Sequence, residues 1–349
     1  MQIVLIGEAP RLFSLANFQW LAYTARALRR LGHRTTVVLY RESWTASPSL
    51  GRRLKAVPVA SSCLRRWHQA QGCQRDRRLI RLVRRLRPDL VIVLKGNVLA
   101  YEVLAQIKRL GRGAMVTWWV DDPSRSPAFL PSFHLFDHVF IFDRFHLARL
   151  VQVGVPRVHF LPCACDETVY RPLPLTAAQR HRWGCDIVLV AWYYPERVQV
   201  IRALAADAQV GVWGGGWDAP DVRRALGGDG VVRGPAVSDR TAARIYNACK
   251  IGLNVHQVQS RMGGLNTRTF ELLATGIAPL VDYVEGMEEL LDPETEVMCY
   301  RSPEEACRLA RHYLDHPQER RRVVARGRSR VLAEHTYVVR LQRLCELAR

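Results

Sequence analysis

Short, continuously apolar runs, each followed by a stretch with helical spacing, constrain this chain more than any other feature. Residues 3–7, 35–40, 90–94, 114–120 and 139–142 are such runs. A strand that is apolar at every position must be covered on both faces, and parallel strands joined by helical crossovers meet that condition. The intervening stretches 15–31, 77–86 and 98–110 are expected to be helices, the last one stopped by Gly111. The expected class is therefore α/β, with a doubly wound parallel sheet.

The pattern then restarts. Pro172-Leu173-Pro174 and the polar residues up to Arg182 read as a linker. Strands are expected at 186–191, 209–213, 251–255 and 278–281, and helices at 197–205, 221–226, 238–249 and 268–275. Three further helices close the chain, 303–315, 317–333 and 337–347, the first two opening on Pro, the favoured first helical residue. The division is then 1–171, a linker at 172–184, 185–336 and a last helix at 337–349. Two Rossmann-like units in 349 residues suit a two-domain glycosyltransferase with a cleft, an exported binding protein or a dehydrogenase. No basic segment precedes the apolar run Met1-Gln2-Ile3-Val4-Leu5-Ile6-Gly7, so a secretory signal is not expected and a cytoplasmic chain is. The first strand ends in Gly7-Glu8-Ala9-Pro10, without the glycine fingerprint of dinucleotide sites.

Charge and cysteine content narrow the function. Fifty-one basic residues against 32 acidic ones leave a formal charge of +19, nearly all of it arginine. Arginine pairs recur at 29–30, 52–53, 65–66, 77–78 and 84–85, so the excess is concentrated in the N-terminal half. Such a field attracts a phosphorylated substrate, an anionic membrane surface or nucleic acid. A composition bias toward arginine would write the same excess. No nucleic-acid-binding motif accompanies it, so nucleic acid is not the expected partner. No window holds 18 consecutive apolar residues, which excludes a transmembrane helix; any membrane association would be peripheral. The nine cysteines are scattered, and the one close pair, Cys163-x-Cys165, lacks zinc-site spacing.

Two segments carry chemistry. Gly211-Val212-Trp213-Gly214-Gly215-Gly216-Trp217 follows a strand, and glycines there let backbone N–H groups approach a ligand. Trp217 could stack on a base or pack in the core. The second segment runs from Ile245 to Glu271, where Gly263-Gly264-Leu265 leads into a helix start. Asn266 or Thr267 can cap that helix, and the free N–H groups of its first turn form an anion site. Arg268 adds a forked donor suited to phosphate. Glu271, about one turn on, can grip vicinal ribose hydroxyls or close a capping box with Thr267 or Arg268. In the first half Asp121 and Asp122 end a strand, where either could take a proton from an acceptor hydroxyl or merely cap a turn. Lys95-Gly96 and His256 also sit at strand ends.

These pieces together resemble the CgeB-like (spore maturation protein) glycosyltransferases of GT-B fold. The resemblance rests on Val212-Trp213-Gly214-Gly215-Gly216-Trp217, on Tyr246-Asn247-Ala248-Cys249-Lys250-Ile251-Gly252-Leu253-Asn254, and on Asn266-x-Arg268-x-Phe270-Glu271 with Gly276 following. It continues in Glu296-x-x-x-Tyr300, in Tyr313-Leu314-x-x-His316-Pro317-x-x-Arg320, and in His335-Thr336-Tyr337 with Arg340. The N-terminal half matches more loosely, through Pro88-Asp89-Leu90 with Lys95-Gly96, Trp118 to Asp122, and Asp137 to Phe142.

The resemblance implies two Rossmann-like domains facing a cleft and transfer of a sugar from a nucleotide-diphosphate sugar to an acceptor. The C-terminal domain would hold the donor, the N-terminal one the acceptor, and the last helix would return toward the N-terminal domain. By similarity Glu271 would contact the donor ribose, and Arg268 and Arg197 the diphosphate. No cofactor or metal is implied, because basic groups and a helix N-terminus can neutralise the leaving diphosphate. The arginine-rich half suggests an acidic or membrane-associated acceptor. The alternative is a non-catalytic nucleotide-sugar-binding or scaffolding protein in cell-envelope or spore-coat assembly.

Overall fold

The computed structural model of the chain describes residues 1–8, 16–40, 73–227, 230–257 and 263–349. The arginine pairs at 52–53 and 65–66, and Ala9 and Pro10 of the first turn, lie outside the described residues. Two compact units emerge. The first comprises Met1–Phe142, His146–Leu161 and Leu341–Arg349, and the second Asp143–Phe145 and Pro162–Arg340.

The first unit is built on a six-stranded sheet in the order β2-β1-β3-β4-β5-β6, with every pair parallel. Its strands are β1 (Gln2–Glu8), β2 (Arg34–Tyr40), β3 (Leu90–Leu94), β4 (Ala114–Trp119), β5 (His138–Ile141) and β6 (Val158–Phe160). Its helices are α1 (Ala16–Arg30), α2 (73–86), α3 (Tyr101–Leu110) and α4 (Arg144–Gln152). All five residues of β3 are buried, as the unbroken apolar run requires. In α1, Leu21, Ala25 and Leu28 recur at helical spacing and are buried, while Arg29 and Arg30 are exposed at its end. On α2 Leu79 and Val83 face the core, and Arg77, Arg78, Arg81, Arg84 and Arg85 are exposed. Trp119 anchors this core against Phe129 and Phe133, with ring centroids 5.1 and 5.2 Å away. The carboxyl ends of β1 and β3 mark the point where the strand order reverses.

The second unit opens with α5 (Ala177–Trp183), inside the stretch expected to be a linker. Thr176 and Gln179 cap it reciprocally, a local device that makes a helix of a polar segment. Then follow β7 (Ile187–Val190), α6 (Pro195–Ala205), β8 (Val210–Trp213), α7 (Pro220–Ala225), β9 (Val232–Gly234) and α8 (Asp239–Ala248). The second half holds β10 (Ile251–Asn254), α9 (Thr267–Thr275), β11 (Ala278–Asp282), β12 (Met298–Tyr300), α10 (Pro303–Asp315) and α11 (Pro317–Glu334). The last helix, α12 (Tyr337–Leu347), begins in the second unit and counts with the first from Leu341 onward. The sheet order is β12-β11-β10-β7-β8-β9, again all parallel. Counted from its own first strand this is 3-2-1-4-5-6 reversed in listing, the Rossmann order.

The switch point of that order lies between β7 and β10, and there the sheet opens. The two strands pair only at Ile251↔Ile187 and Gly252↔Val188, whereas β7 and β8 stay paired from Ile187 to Val190. Beyond Val188 and Gly252 the central strands part, and their carboxyl ends frame a crevice within this one unit. Open α/β sheets bind ligands at such a crevice. Gly276 ends α9 with φ +88°, a left-handed conformation that glycine adopts without steric cost, and its N–H closes on Leu272 and Leu273 carbonyls.

Candidate functional site

Four elements of the second unit converge where β7 and β10 part. Asn254, the last residue of β10, is fully buried and donates from Nδ2 to Asn266 Oδ1 and Thr269 Oγ1, both at 2.9 Å. Asn266 returns a bond to Asn254 Oδ1 at 3.2 Å and caps α9 by accepting from the Thr269 N–H at 3.4 Å. His256 is buried beyond the end of β10. Its Nδ1 and its backbone N each lie 2.8 Å from Asp282 Oδ1, and its Nε2 is 3.3 Å from the Asn266 N–H, which it accepts. With Nδ1 donating to the carboxylate, this histidine is a bracket for the helix cap. The pair of asparagines and this histidine fix the amino end of α9. The N–H groups of Thr267 and Arg268, first in the helix, point out of it as in any helix start.

Two guanidinium groups span the gap. Arg268 donates from Nε to the Val190 carbonyl at the end of β7, 2.9 Å, and from Nη1 to Asn254 Oδ1, 3.4 Å. Arg197, on α6, is 4% exposed. It donates from Nε and Nη2 to the Val255 carbonyl at 3.3 and 3.1 Å, and from Nη1 to the Trp192 carbonyl. Burial, then the charge of Arg268, pull the Arg197 pKa down to about 9, so it stays protonated at neutral pH. Neither arginine has a carboxylate within ion-pair distance among the described residues. A buried positive charge without a counterion is costly, and a second one beside it adds repulsion. An anion entering the crevice relieves both.

Glu271 lies one turn along α9 from Arg268; the residue is partly exposed, but its carboxyl is enclosed. Burial first, and Asp239 next, push its pKa up to about 8; Arg268 and a hydrogen bond from Tyr170 work against that rise. The carboxyl is therefore largely protonated at neutral pH rather than an open anion. It does not close a capping box, because the cap is Asn266 and the third helical residue is Thr269.

The glycine run after β8 is placed differently from expectation. Trp217 is fully buried, its Nε1 donates to the Ala191 carbonyl at 2.7 Å, and its ring stands at 88° to Tyr193. It offers no ring face to a base; the core-packing alternative describes it. What comes close to Gly214, Gly215 and Gly216 is the chain's own β7–α6 loop. A Cβ on Gly214 would lie 1.7 Å from the Ala191 carbonyl oxygen, one on Gly215 2.3 Å from the Trp192 ring, and one on Gly216 3.0 Å from Tyr193 Cβ. The glycines thus make room for residues 191–193.

In the first unit Asp121 and Asp122 follow β4 at its carboxyl edge, and both are engaged. Asp121 pairs with Lys95 Nζ at 2.8 Å and Arg125 Nη1 at 3.5 Å. Asp122 caps the turn after it, accepting from Ser124 N at 2.8 Å and Ser124 Oγ at 2.6 Å, and pairs with the buried His146 Nε2 at 2.8 Å. Burial opposes ionisation of Asp122, but the Ser124 bonds and His146 outweigh it and hold the carboxyl below the usual range. Lys95 sits at φ +64°, a strained conformation for a residue with a side chain. Among the described residues no three His, Cys, Asp or Glu side chains form a group able to hold a metal ion, and no helix is long and apolar enough to cross a membrane.

Residues the sequence reading passed over include Asp282, Tyr170 and the aromatic trio Trp192-Tyr193-Tyr194; Asn254 is part of the resemblance motif but carries no role there. Their signal was faint. The trio directly follows a predicted strand, at the edge where ligands bind.

Comparison with known proteins follows the same lines. Residues 197–346 match a family model described as glycosyl transferase-like. Spore protein CgeB of Bacillus subtilis (strain 168) is 20% identical over 264 residues, covering 72% of this chain and 80% of CgeB. HepE of Anabaena, solved in complex with UDP-glucose, superposes with a TM-score of 0.67 at 12% identity, over 99% of this chain and 98% of HepE. Sucrose-phosphate synthase from Thermosynechococcus elongatus does so with a TM-score of 0.64 at 13% identity, over 99% and 98% of the two chains. At these identities the structural likeness speaks for the fold, two Rossmann-like units of GT-B type.

Proposed function

We propose that this chain, a CgeB-like glycosyltransferase of GT-B fold, takes its sugar from a nucleoside-diphosphate sugar held at the β7/β10 crevice of the second unit. One observation carries the reading: Arg197 and Arg268 meet without an ion pair where the central strands part. The diphosphate lies against Arg268, the N–H groups of Thr267 and Arg268, and the positive end of α9. Arg197 is largely spent on backbone carbonyls, so it contributes charge more than direct bonds. HepE is solved with UDP-glucose, which supports a donor of this class. Glu271, on the same helix as Arg268, takes the ribose hydroxyls once the nucleotide displaces or joins Tyr170.

In the transfer step the bond between the anomeric carbon and the diphosphate oxygen breaks, and negative charge grows on the leaving group. Fixed guanidinium and N–H groups stabilise that charge more in the transition state than in the bound donor, which speeds the reaction. They provide this neutralisation without a metal ion. The first unit receives the acceptor in this reading. Asp121, 28% exposed at its side chain, takes the acceptor proton in this reading, once the acceptor loosens its pairing with Lys95 and Arg125; Asp122 is held more closely by Ser124 and the buried His146.

Titration calorimetry with UDP, GDP and dTDP, alone and as glucose conjugates, tests the donor reading. Wild type should bind one base class, and Arg268→Ala should lose about 1.5–3 kcal/mol of that binding, the worth of charged hydrogen bonds. Its turnover should fall further than its affinity. A folded Arg268→Ala protein that binds and turns over the donor as wild type does would sink the assignment. Binding in wild type without hydrolysis or transfer would leave the non-catalytic alternative standing.

A further inference from the structure

Beside the crevice the chain exposes two large aromatic side chains that the donor reading has not used. Trp192 is 50% exposed and Tyr194 36% exposed, in the loop that follows β7. This loop is firmly held. Ala191 N bonds Trp213 O at 2.8 Å and Tyr193 N bonds Gly215 O at 2.9 Å, while Trp217 Nε1 secures the Ala191 carbonyl. The Trp192 carbonyl takes a bond from Arg197, and the Arg197 guanidinium lies 4.8 Å from the centroid of the Tyr194 ring. The indole rests over the Gly215 backbone, where any side chain would collide with it. A rigid backbone, a glycine seat and an indole half open to solvent are a costly arrangement unless the open face has an occupant.

The order of parts in a nucleoside-diphosphate sugar says which occupant. Along the sheet the strands run β11-β10-β7-β8. Glu271 and Arg268 come from α9, on the β10 side of the gap. Trp192 follows β7 and lies against the loop after β8, on the other side. The donor is linear: base, ribose, two phosphates, sugar, so base and sugar lie at opposite ends. With the ribose at Glu271 and the phosphates at the arginines, the sugar falls on the β7/β8 side. We infer that Trp192, with Tyr194 bracing Arg197 beside it, is the platform on which the apolar face of the donor's pyranose ring stacks. The inference rests on the donor reading above and adds the sugar subsite to it. Pyranose rings carry a face of C–H groups, and an indole is the side chain that covers such a face with the largest area.

The experiment compares each nucleoside diphosphate with its glucose conjugate, using UDP/UDP-glucose, GDP/GDP-glucose and dTDP/dTDP-glucose, on wild type, Trp192→Ala and Trp192→Phe. Trp192→Ala should bind the diphosphate as wild type does but bind the conjugate roughly tenfold more weakly, about 1.4 kcal/mol. Trp192→Phe should recover most of the loss, and the extra fluorescence quenching that the conjugate causes in wild type should vanish in it. A Trp192→Ala protein that loses both ligands equally, which puts the indole on the nucleoside diphosphate, or that loses neither, overturns the inference. A wild type that binds none of the diphosphates overturns the donor reading and this inference with it; loss of diphosphate binding in Arg268→Ala alone separates the two.

Discussion

The two units share an all-parallel six-stranded sheet, yet their carboxyl edges are charged in opposite manners. In the first, every charge at the end of β4 has found a partner: Lys95 and Arg125 on Asp121, His146 on Asp122. In the second, Arg197 and Arg268 are bonded to carbonyls and an amide and lie against Tyr194 and Tyr246, with no carboxylate within ion-pair distance among the described residues. A paired edge has little electrostatic work left to do for a ligand. An edge holding two uncompensated cations gains when an anion enters. The same topology can therefore carry either a settled surface or a prepared anion site, and the side chains at the switch point decide which.

The sharpest way to break this comparison is to remove one charge from each edge. Arg197→Ala should lower stability by about 2–4 kcal/mol, since it leaves the Val255 and Trp192 carbonyls without their donor and opens a cavity. Asp121→Asn should cost about 0–1 kcal/mol, as partly exposed ion pairs do, while lowering turnover if it takes the acceptor proton. Urea denaturation reads the stabilities. Equal losses in the two variants would end the contrast drawn here.

A second effect is smaller and depends on pH. The Glu271 carboxyl has a pKa of about 8 when folded against about 4.5 when unfolded. Between those values the folded chain holds a proton that the unfolded chain has released, so stability falls as pH rises through that window and levels off above it. The thermal midpoint of wild type should decline from pH 5 to pH 8 relative to Glu271→Gln. Parallel curves for the two proteins would show that the carboxyl is ionised throughout.

The smallest effect concerns the exposed arginine face of α2. Reversing Arg77, Arg81 and Arg84 should leave the fold unchanged and reduce acceptor use at low salt more than at high salt, because mobile ions screen exposed charges within about 10 Å at 0.1 M. Unchanged activity at low salt would assign the excess charge to composition alone.

Much of the fold was legible because its signals are local. The bounds of α10 and α12 agree with the sequence reading, those of α9 and α11 shift by a residue at one end, and those of α8 by a residue at each end. The strands it missed, β6, β9 and β12, have three residues each, too short to show a period, and all three lie at sheet edges. The helix α5 was missed because its stabilising signal is a capping box in a polar stretch that otherwise resembles a linker. Contacts between distant residues left no mark at all. Cys185 and Cys249 bring their sulfurs to 3.3 Å, whereas the conspicuous Cys163-x-Cys165 consists of two buried free thiols.

By itself, the sequence determined the class of fold, the tandem units and the helix start that carries Asn266, Thr267, Arg268 and Glu271. Apolar runs, helical spacing and capping residues are properties of neighbours along the chain, and neighbours are what a sequence displays. Only the tertiary structure decided what each side chain spends itself on. It turned Trp217 inward, placed Trp192 outward on a bed of glycine, buried Glu271 until its carboxyl holds a proton, and set Arg197 and Arg268 over one gap. Burial and charge proximity arise from packing between segments tens of residues apart, and these govern ionisation and free bonding capacity.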